Sequence, residues 1–172
     1  SKFKFFLKII MAKGKIQRVE RGITVYEGER LTALLQAIRK EVASTKLSSA
    51  DDLPVKLWYK QQFAAGVNEV TRFLERMPPA EPSGPIPTEW QSPRVKLQAV
   101  LVAGDCSPKS LTKHLVGLAL SRKVPLVQVE DNRKGSFRLG ELVMLKTAVA
   151  IGIKDRGNTI NKVVADCLEV HE

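Results

Sequence analysis

The feature that most constrains the fold is an alternation of apolar runs and helical patterns in the second half of the chain. Continuous apolar runs at 97–103 and 124–129 predict buried strands, and apolar residues at helical spacing lie between them. Short connections between strand, helix and strand predict a right-handed parallel crossover. A further strand within 147–153 and a helix over 158–168 complete the pattern. We therefore predict an α/β fold with a small mixed sheet between helices.

The first half of the chain predicts helices. An amphipathic helix is expected from Glu29 to about Thr45, and a short helix over 55–63. Residues 78–93 contain six prolines and predict an extended, inserted loop rather than a core element. The expected organisation is a basic N-terminal arm at 1–28 followed by a single domain at 29–172.

A glycine, Gly66, precedes an amphipathic helix just before that loop. The apolar stripe of the helix consists of Val67, Val70, Leu74 and Met77. Its polar face consists of Asn68, Glu69, Arg72 and Arg76. The N-terminus of a helix suits phosphates, and a carboxylate placed there can accept from the N–H donors of a base edge. Two readings stay open: a binding face, or a helix capped by Asn68 whose charges are merely solvated.

The charge balance makes a polyanion the first partner to consider. Twenty-eight basic residues against 18 acidic ones give a net charge of +10, and neutralising phosphates releases counterions. Residues 1–22 hold seven basic residues and one acidic residue. Nucleic acid, a membrane surface and no polyanion at all remain alternatives on charge alone. The apolar stretch in residues 1–10 is too short and too interrupted by lysines to span a bilayer. The expected partner is RNA rather than a membrane.

Catalytic and metal-binding patterns are weak. The chain has two cysteines, Cys106 and Cys167, and neither these nor His114 and His171 have metal-ligand spacing. Asp105 and Cys106 follow a predicted strand and could be imagined as catalytic, but a helix cap and a small core thiol are the favoured explanation of both. The chain contains no phosphate-binding or dinucleotide-binding glycine loop. We expect no metal, no cofactor and no catalytic activity.

Several stretches together resemble the kink-turn RNA-binding ribosomal protein superfamily. They are 66–76, 103–108, His114-Leu115, 124–127 and 147–151. Within that superfamily the chain is most similar to the branch found in nuclear ribonuclease P/MRP. The resemblance implies a three-layer α-β-α sandwich with a small mixed four-stranded sheet. It also implies a non-catalytic RNA-binding subunit of the nucleus and nucleolus, which works beside other protein subunits on precursor tRNA and rRNA.

The resemblance also implies which residues contact RNA. On the helix they are Gly66, Asn68, Glu69 and Arg72, with Arg76 on the same polar face. In the loop before the last strand they are Val143, Met144, Leu145 and Lys146, which would cover an extruded base. The chain lacks the basic residue that many relatives place before Gly66 and the proline common in the late loop of ribosomal relatives. Two alternative functions remain. The chain could be a ribosomal or small nucleolar ribonucleoprotein component, or a stress-signalling module on the same fold.

Overall fold

The computed structural model describes residues 19–20, 23–50, 52–81, 83–85, 95–105 and 110–169. Most of the predicted basic arm and of the proline-rich loop, together with Cys106 and His171, lies outside the described residues.

The described residues form one mixed sheet of five strands plus a two-residue strand at its margin. In chain order these are β1 (Val19–Glu20), β2 (Ile23–Glu27), β3 (Phe63–Ala65), β4 (Leu97–Ala103), β5 (Leu126–Glu130) and β6 (Ala150–Lys154). The spatial order is β1-β2-β5-β4-β6-β3. The central strands β4 and β5 are parallel, as predicted, and β2 adds to β5 in parallel. β6 runs antiparallel to both β4 and β3.

Within the described residues, six helices cover the two faces of this sheet. They are α1 (Gly28–Ser48), α2 (Val55–Gln62), α3 (Val67–Arg76), α4 (Ser110–Ser121), α5 (Gly135–Leu142) and α6 (Thr159–Glu169). Side chains alternate between faces along a strand, so Leu101 of β4 packs in the core with α1, α2, α5 and α6. Val100 and Val102 pack instead with α3 and α4. The predicted three-layer α-β-α class is confirmed.

The predicted number of four strands is wrong. The two strands β2 and β3 were not recognised, because each is short and pairs with a strand far away in sequence. β3 has three residues and directly follows α2, so its sequence reads as the end of a helix. β2 lies inside the predicted arm at 1–28, and its five residues are nevertheless part of the sheet.

The connection between β5 and α5 is short and consists of residues 131–134. The helix begins at Gly135, because a tight turn precedes it. Asn132 and Arg133 have φ of 41° and 68°, and the Lys134 amide donates to the Asp131 carbonyl over 2.6 Å. Two left-handed central residues are typical of a type I′ turn. A Cβ at Gly135 would lie 2.5 Å from Asp105 Oδ1 and 3.0 Å from the Val129 carbonyl oxygen, so the close approach favours glycine.

Among the helices that the structure describes, none combines the length and the apolar character needed to cross a bilayer.

Candidate nucleic-acid interface

Three connections meet at one end of the sheet. The Gly66 amide, just before α3, donates to the carbonyl of Ala150, the first residue of β6, over 2.8 Å. The amide of Ala103, the last residue of β4, donates to the Val149 carbonyl over 2.8 Å. The N-terminus of α3 and the loop that enters β6 therefore lie at the same end of the sheet, as the two predicted groups of contact residues require.

Gly66 occupies the N-cap position of α3, so no side chain caps the start of this helix. Its φ of 97° and ψ of 155° are reached routinely only by glycine. Its carbonyl accepts the amide of Val70 over 3.1 Å and so begins the helix. The reading of Asn68 as the N-cap is wrong, because Asn68 is already inside the helix and its side chain is exposed.

Asn68, Glu69 and Arg72 form one exposed surface on the first turns of α3. Arg72 Nη1 lies 3.5 Å from Glu69 Oε1, and the two side chains are 63% and 51% exposed. A solvent-exposed ion pair of this kind contributes about 0–1 kcal/mol. Both charged groups can therefore exchange this partner for a ligand at little cost. Arg76 is also exposed, but it lies about 12 Å from Asn68 along the helix axis. The structure therefore does not bring Arg76 to the N-terminus of α3.

The buried side of α3 holds this surface in place. Val70 and Leu74 are fully buried against the sheet and α4. Thr71 Oγ1 donates to the Val67 carbonyl over 2.7 Å, and it lies 2.9 Å from Nε2 of His114 on α4. Because the single hydroxyl hydrogen is already used, Nε2 of His114 is the donor in this contact. The sequence did not reveal this role of His114.

The C-terminal end of α3 is anchored by Arg122, which follows α4. Its Nε donates to the carbonyls of Leu74 and Met77 over 3.0 and 2.8 Å. A cation at this end of a helix also interacts favourably with the helix dipole. The Ala80 amide donates to the carbonyl of Ser121 over 2.9 Å and extends the attachment beyond the helix.

Three of the four predicted contact residues in the loop at 143–146 are exposed. Met144 and Leu145 are 68% and 49% exposed, and Lys146 is also exposed. Val143 is 6% exposed and packs in the core, so its side chain does not reach the surface. The Leu145 amide donates to the Gly140 carbonyl over 2.9 Å and fixes the turn.

One residue that sequence reasoning missed lies beside the same helix. Lys154, the last residue of β6, places its Nζ 4.5 Å from the ring centroid of Phe73 on α3. Burial lowers the pKa of Lys154, and the charge of Glu69 partly offsets that effect by raising it. Lys154 and Phe73 come together because β6 pairs with β3, the strand that precedes α3. No pattern of residues along the chain indicates this contact.

The described residues provide no assembled catalytic group. The His114 ring is hydrogen-bonded to Thr71 rather than to Asp105. Burial raises the pKa of Cys167 to about 12, so that thiol is protonated at neutral pH. No cluster of three or more His, Cys, Asp or Glu side chains suited to a metal is present in the part of the chain that the structure describes.

Comparison with known proteins gives a family for this arrangement. Residues 93–163 match the family described as Ribosomal protein L7Ae/L30e/S12e/Gadd45. These residues are less than half of the chain, and they resemble the L7Ae/L30e family. The predicted family resemblance is thereby confirmed. The matched segment runs from just before β4 into α6, so α3 and its exposed face lie outside it.

Curated relatives extend the similarity towards the N-terminus of the chain. The chain is 31% identical over 163 residues to Ribonuclease P protein subunit p38 of Mus musculus, which covers 90% of this chain and 50% of that protein. It is 36% identical over 95 residues to the Homo sapiens protein of the same name, which covers 55% of this chain and 26% of that protein. The chain thus spans half of the mouse relative and about a quarter of the human one.

A solved structure shares the fold of this chain. The Giardia lamblia 15.5kD RNA binding protein superposes with a TM-score of 0.52 and 18% identity, over 84% of this chain and 93% of that chain. At this level of identity the likeness concerns the fold alone.

Proposed function

We propose that this chain is a non-catalytic, RNA-binding protein subunit of ribonuclease P that recognises a bent, kink-turn-like RNA element. The observation that carries the proposal is the exposed surface of Asn68, Glu69 and Arg72 at the N-terminus of α3, which we term the recognition face. The similarity to ribonuclease P subunits of mouse and human supports the assignment to that particle.

The chemistry of the recognition face suits exposed guanine edges. The carboxylate of Glu69 accepts from the N1–H and N2–H donors of guanine, while the Asn68 amide both donates and accepts. The guanidinium of Arg72 holds a phosphate or a base edge, with bidentate geometry available. Gly66 has no side chain, so the RNA backbone can approach the start of the helix.

The loop at 144–146 completes the proposed contact surface. Met144 and Leu145 present apolar side chains at the same end of the sheet as the recognition face. A base extruded from a bent RNA would be covered by these side chains, as single-stranded bases commonly are in RNA–protein complexes. Lys146 adds a positive charge beside them for the neighbouring phosphate.

In the particle, the protein would act beside other protein subunits while RNA does the chemistry. Its proposed roles are in removal of the 5′ leader from precursor tRNA by ribonuclease P and in rRNA processing by ribonuclease MRP. The corresponding location is the nucleus and nucleolus. Excess positive charge supports an anionic ligand such as RNA rather than a neutral or basic partner.

Substitution of the recognition face tests base reading. Asn68→Ala and Glu69→Ala are each expected to weaken binding of a kink-turn RNA by about 1–3 kcal/mol, because each removes contacts to a base edge. Binding of a plain duplex should change little. The matched control is Glu75→Ala, which removes an exposed carboxylate from the same helix away from its N-terminus. Filter binding at one fixed salt concentration measures all four proteins, and equal losses on both RNAs would contradict base reading.

Purification of the protein from cells, followed by sequencing of the bound RNA, tests the assignment to a particle. Ribonuclease P or MRP RNA supports the proposal. Ribosomal or small nucleolar RNA would instead favour a component of those particles, and the absence of RNA would favour a signalling module on the same fold.

A further inference from the structure

Two cations converge on the C-terminal end of α2. Nζ of Lys154 donates to the Lys60 carbonyl over 2.5 Å. Nη1 of Arg156 lies 3.5 Å from the Gln61 carbonyl. Carbonyl groups at the end of a helix carry partial negative charge and attract cations, so both contacts stabilise α2.

More positive charge is present here than this capping role requires. The side chain of Lys60 is itself exposed, and α2 contains no acidic residue. Lys96 is exposed next to β4, and its carbonyl accepts the amide of Asp155 over 2.7 Å. We term Lys60, Lys96, Lys154 and Arg156 the basic edge. Asp155 is the acidic residue that lies among them in sequence.

The cations of the basic edge retain hydrogen-bond donors. An ammonium carries three N–H donors and a guanidinium five, of which the contacts at α2 use one each. Burial lowers the pKa of Lys154, the charge of Glu69 raises it, and the smaller effect of Arg156 lowers it. Arg156 and Lys154 therefore lie close enough for one polyanion to contact both charges.

The basic edge lies at the opposite end of β6 from the recognition face. Ala150 begins this strand beside Gly66, whereas Lys154 ends it. The two ends are roughly 13 Å apart, the rise of four residues in a strand. The helix α3 spans the interval, since Lys154 lies against its Phe73 ring. A rod-like ligand that starts at the recognition face can therefore continue along α3 to the basic edge.

We propose that the basic edge binds the phosphate backbone of an RNA stem whose bent end is held by the recognition face. This inference rests on the proposed function for the bent end, but its own contacts are to phosphate and independent of sequence. Phosphate contacts by Lys and Arg release counterions, so they are detected as a dependence of affinity on salt concentration.

The experiment compares two RNAs that share one kink-turn element, one with an extended stem and one with that stem trimmed. Affinities of the wild type and of the Lys60→Gln/Arg156→Gln variant are measured over a range of salt concentrations. Both substituted side chains are exposed, and thermal unfolding checks that the variant remains folded. The control is Lys40→Gln, which removes an exposed charge from α1.

On the extended stem, the slope of log affinity against log salt should fall in magnitude by about 0.7–0.9 for each phosphate that the variant no longer neutralises, hence by about 1–2 for the double variant. On the trimmed stem the slope should not change. Equal slopes for wild type and variant on the extended stem would overturn the inference, as would an equal change with Lys40→Gln. In either case, the role of Lys154 and Arg156 would be limited to capping the C-terminal end of α2.

The two proposals fail separately. If the wild type binds a plain duplex as tightly as the bent RNA, the proposed reading of a bent element is wrong. A smaller salt slope of the double variant on that plain duplex would still support the basic edge as a phosphate-binding surface.

Discussion

Gly66 determines where the recognition face begins. Its backbone conformation is one that glycine adopts routinely and other residues do not. Its carbonyl accepts the first hydrogen bond of α3, and its amide donates to Ala150 of β6. Sequence reasoning identified this glycine and the polar residues after it, but it assigned the cap to Asn68 as an alternative. A pattern of side chains cannot show the φ angle of one residue, so only the structure shows that Gly66 rather than Asn68 is the N-cap residue of α3.

The backbone of Gly66 leads to the first stability prediction. Gly66→Ala should lower the free energy of unfolding by about 1–3 kcal/mol, because an L-residue is strained at this φ and ψ. No atom lies within 4 Å of the added methyl group, so the loss is due to the backbone alone. Gly117→Ala is the control, since Gly117 lies inside α4 with equally open surroundings. It should raise stability by about 0.5–1 kcal/mol. Chemical denaturation measures both, and an unchanged Gly66→Ala protein would refute the assigned conformation.

At the scale of elements, α3 is the helix on which the proposed function depends, and it is fixed at both ends. Its apolar stripe and bounds were predicted closely from periodicity, as was β4 over 97–103. β3 could not be predicted, because three residues without their partner strand carry no period. The start of α5 was missed for a different reason: it depends on a turn with two left-handed residues whose side chains look merely polar.

Removal of the C-terminal anchor of α3 should destabilise the fold. Arg122→Ala leaves the Leu74 and Met77 carbonyls without the Nε donor, and we expect a loss of about 1–3 kcal/mol in the free energy of unfolding. Arg122→Lys should not restore it fully, because an ammonium cannot reproduce the position of Nε. Lys113→Ala on exposed α4 surface is the control. Thermal unfolding of the three variants tests this role, and equal melting temperatures for Arg122→Ala and Lys113→Ala would exclude it.

At the scale of the whole molecule, positive charge is spread well beyond the recognition face. The sequence alone indicated this, because residues 1–22 carry seven basic residues. It could not indicate the basic edge, whose members come from α2, the start of β4 and the end of β6 and meet only after folding.

Deletion of residues 1–22 tests how the arm contributes. The deletion should reduce the salt dependence of RNA binding while the preference for bent RNA over duplex is kept, because phosphate contacts carry no sequence information. The measurement is the same series of affinities over salt concentration, with the wild type as reference. An unchanged slope would exclude the arm from RNA binding.

The pairing of the sheet has a consequence for the order in which the chain can fold. β2 and β3 pair with β5 and β6, roughly ninety to a hundred residues further along the chain. During synthesis from the N-terminus, both strands and the helices around them leave the ribosome with no sheet to join. The unit of β4, α4 and β5 closes over a short distance and supplies the first template. The segment that would read RNA is therefore made early, but its contact from the Gly66 amide to the Ala150 carbonyl forms only after the last strand has been synthesised.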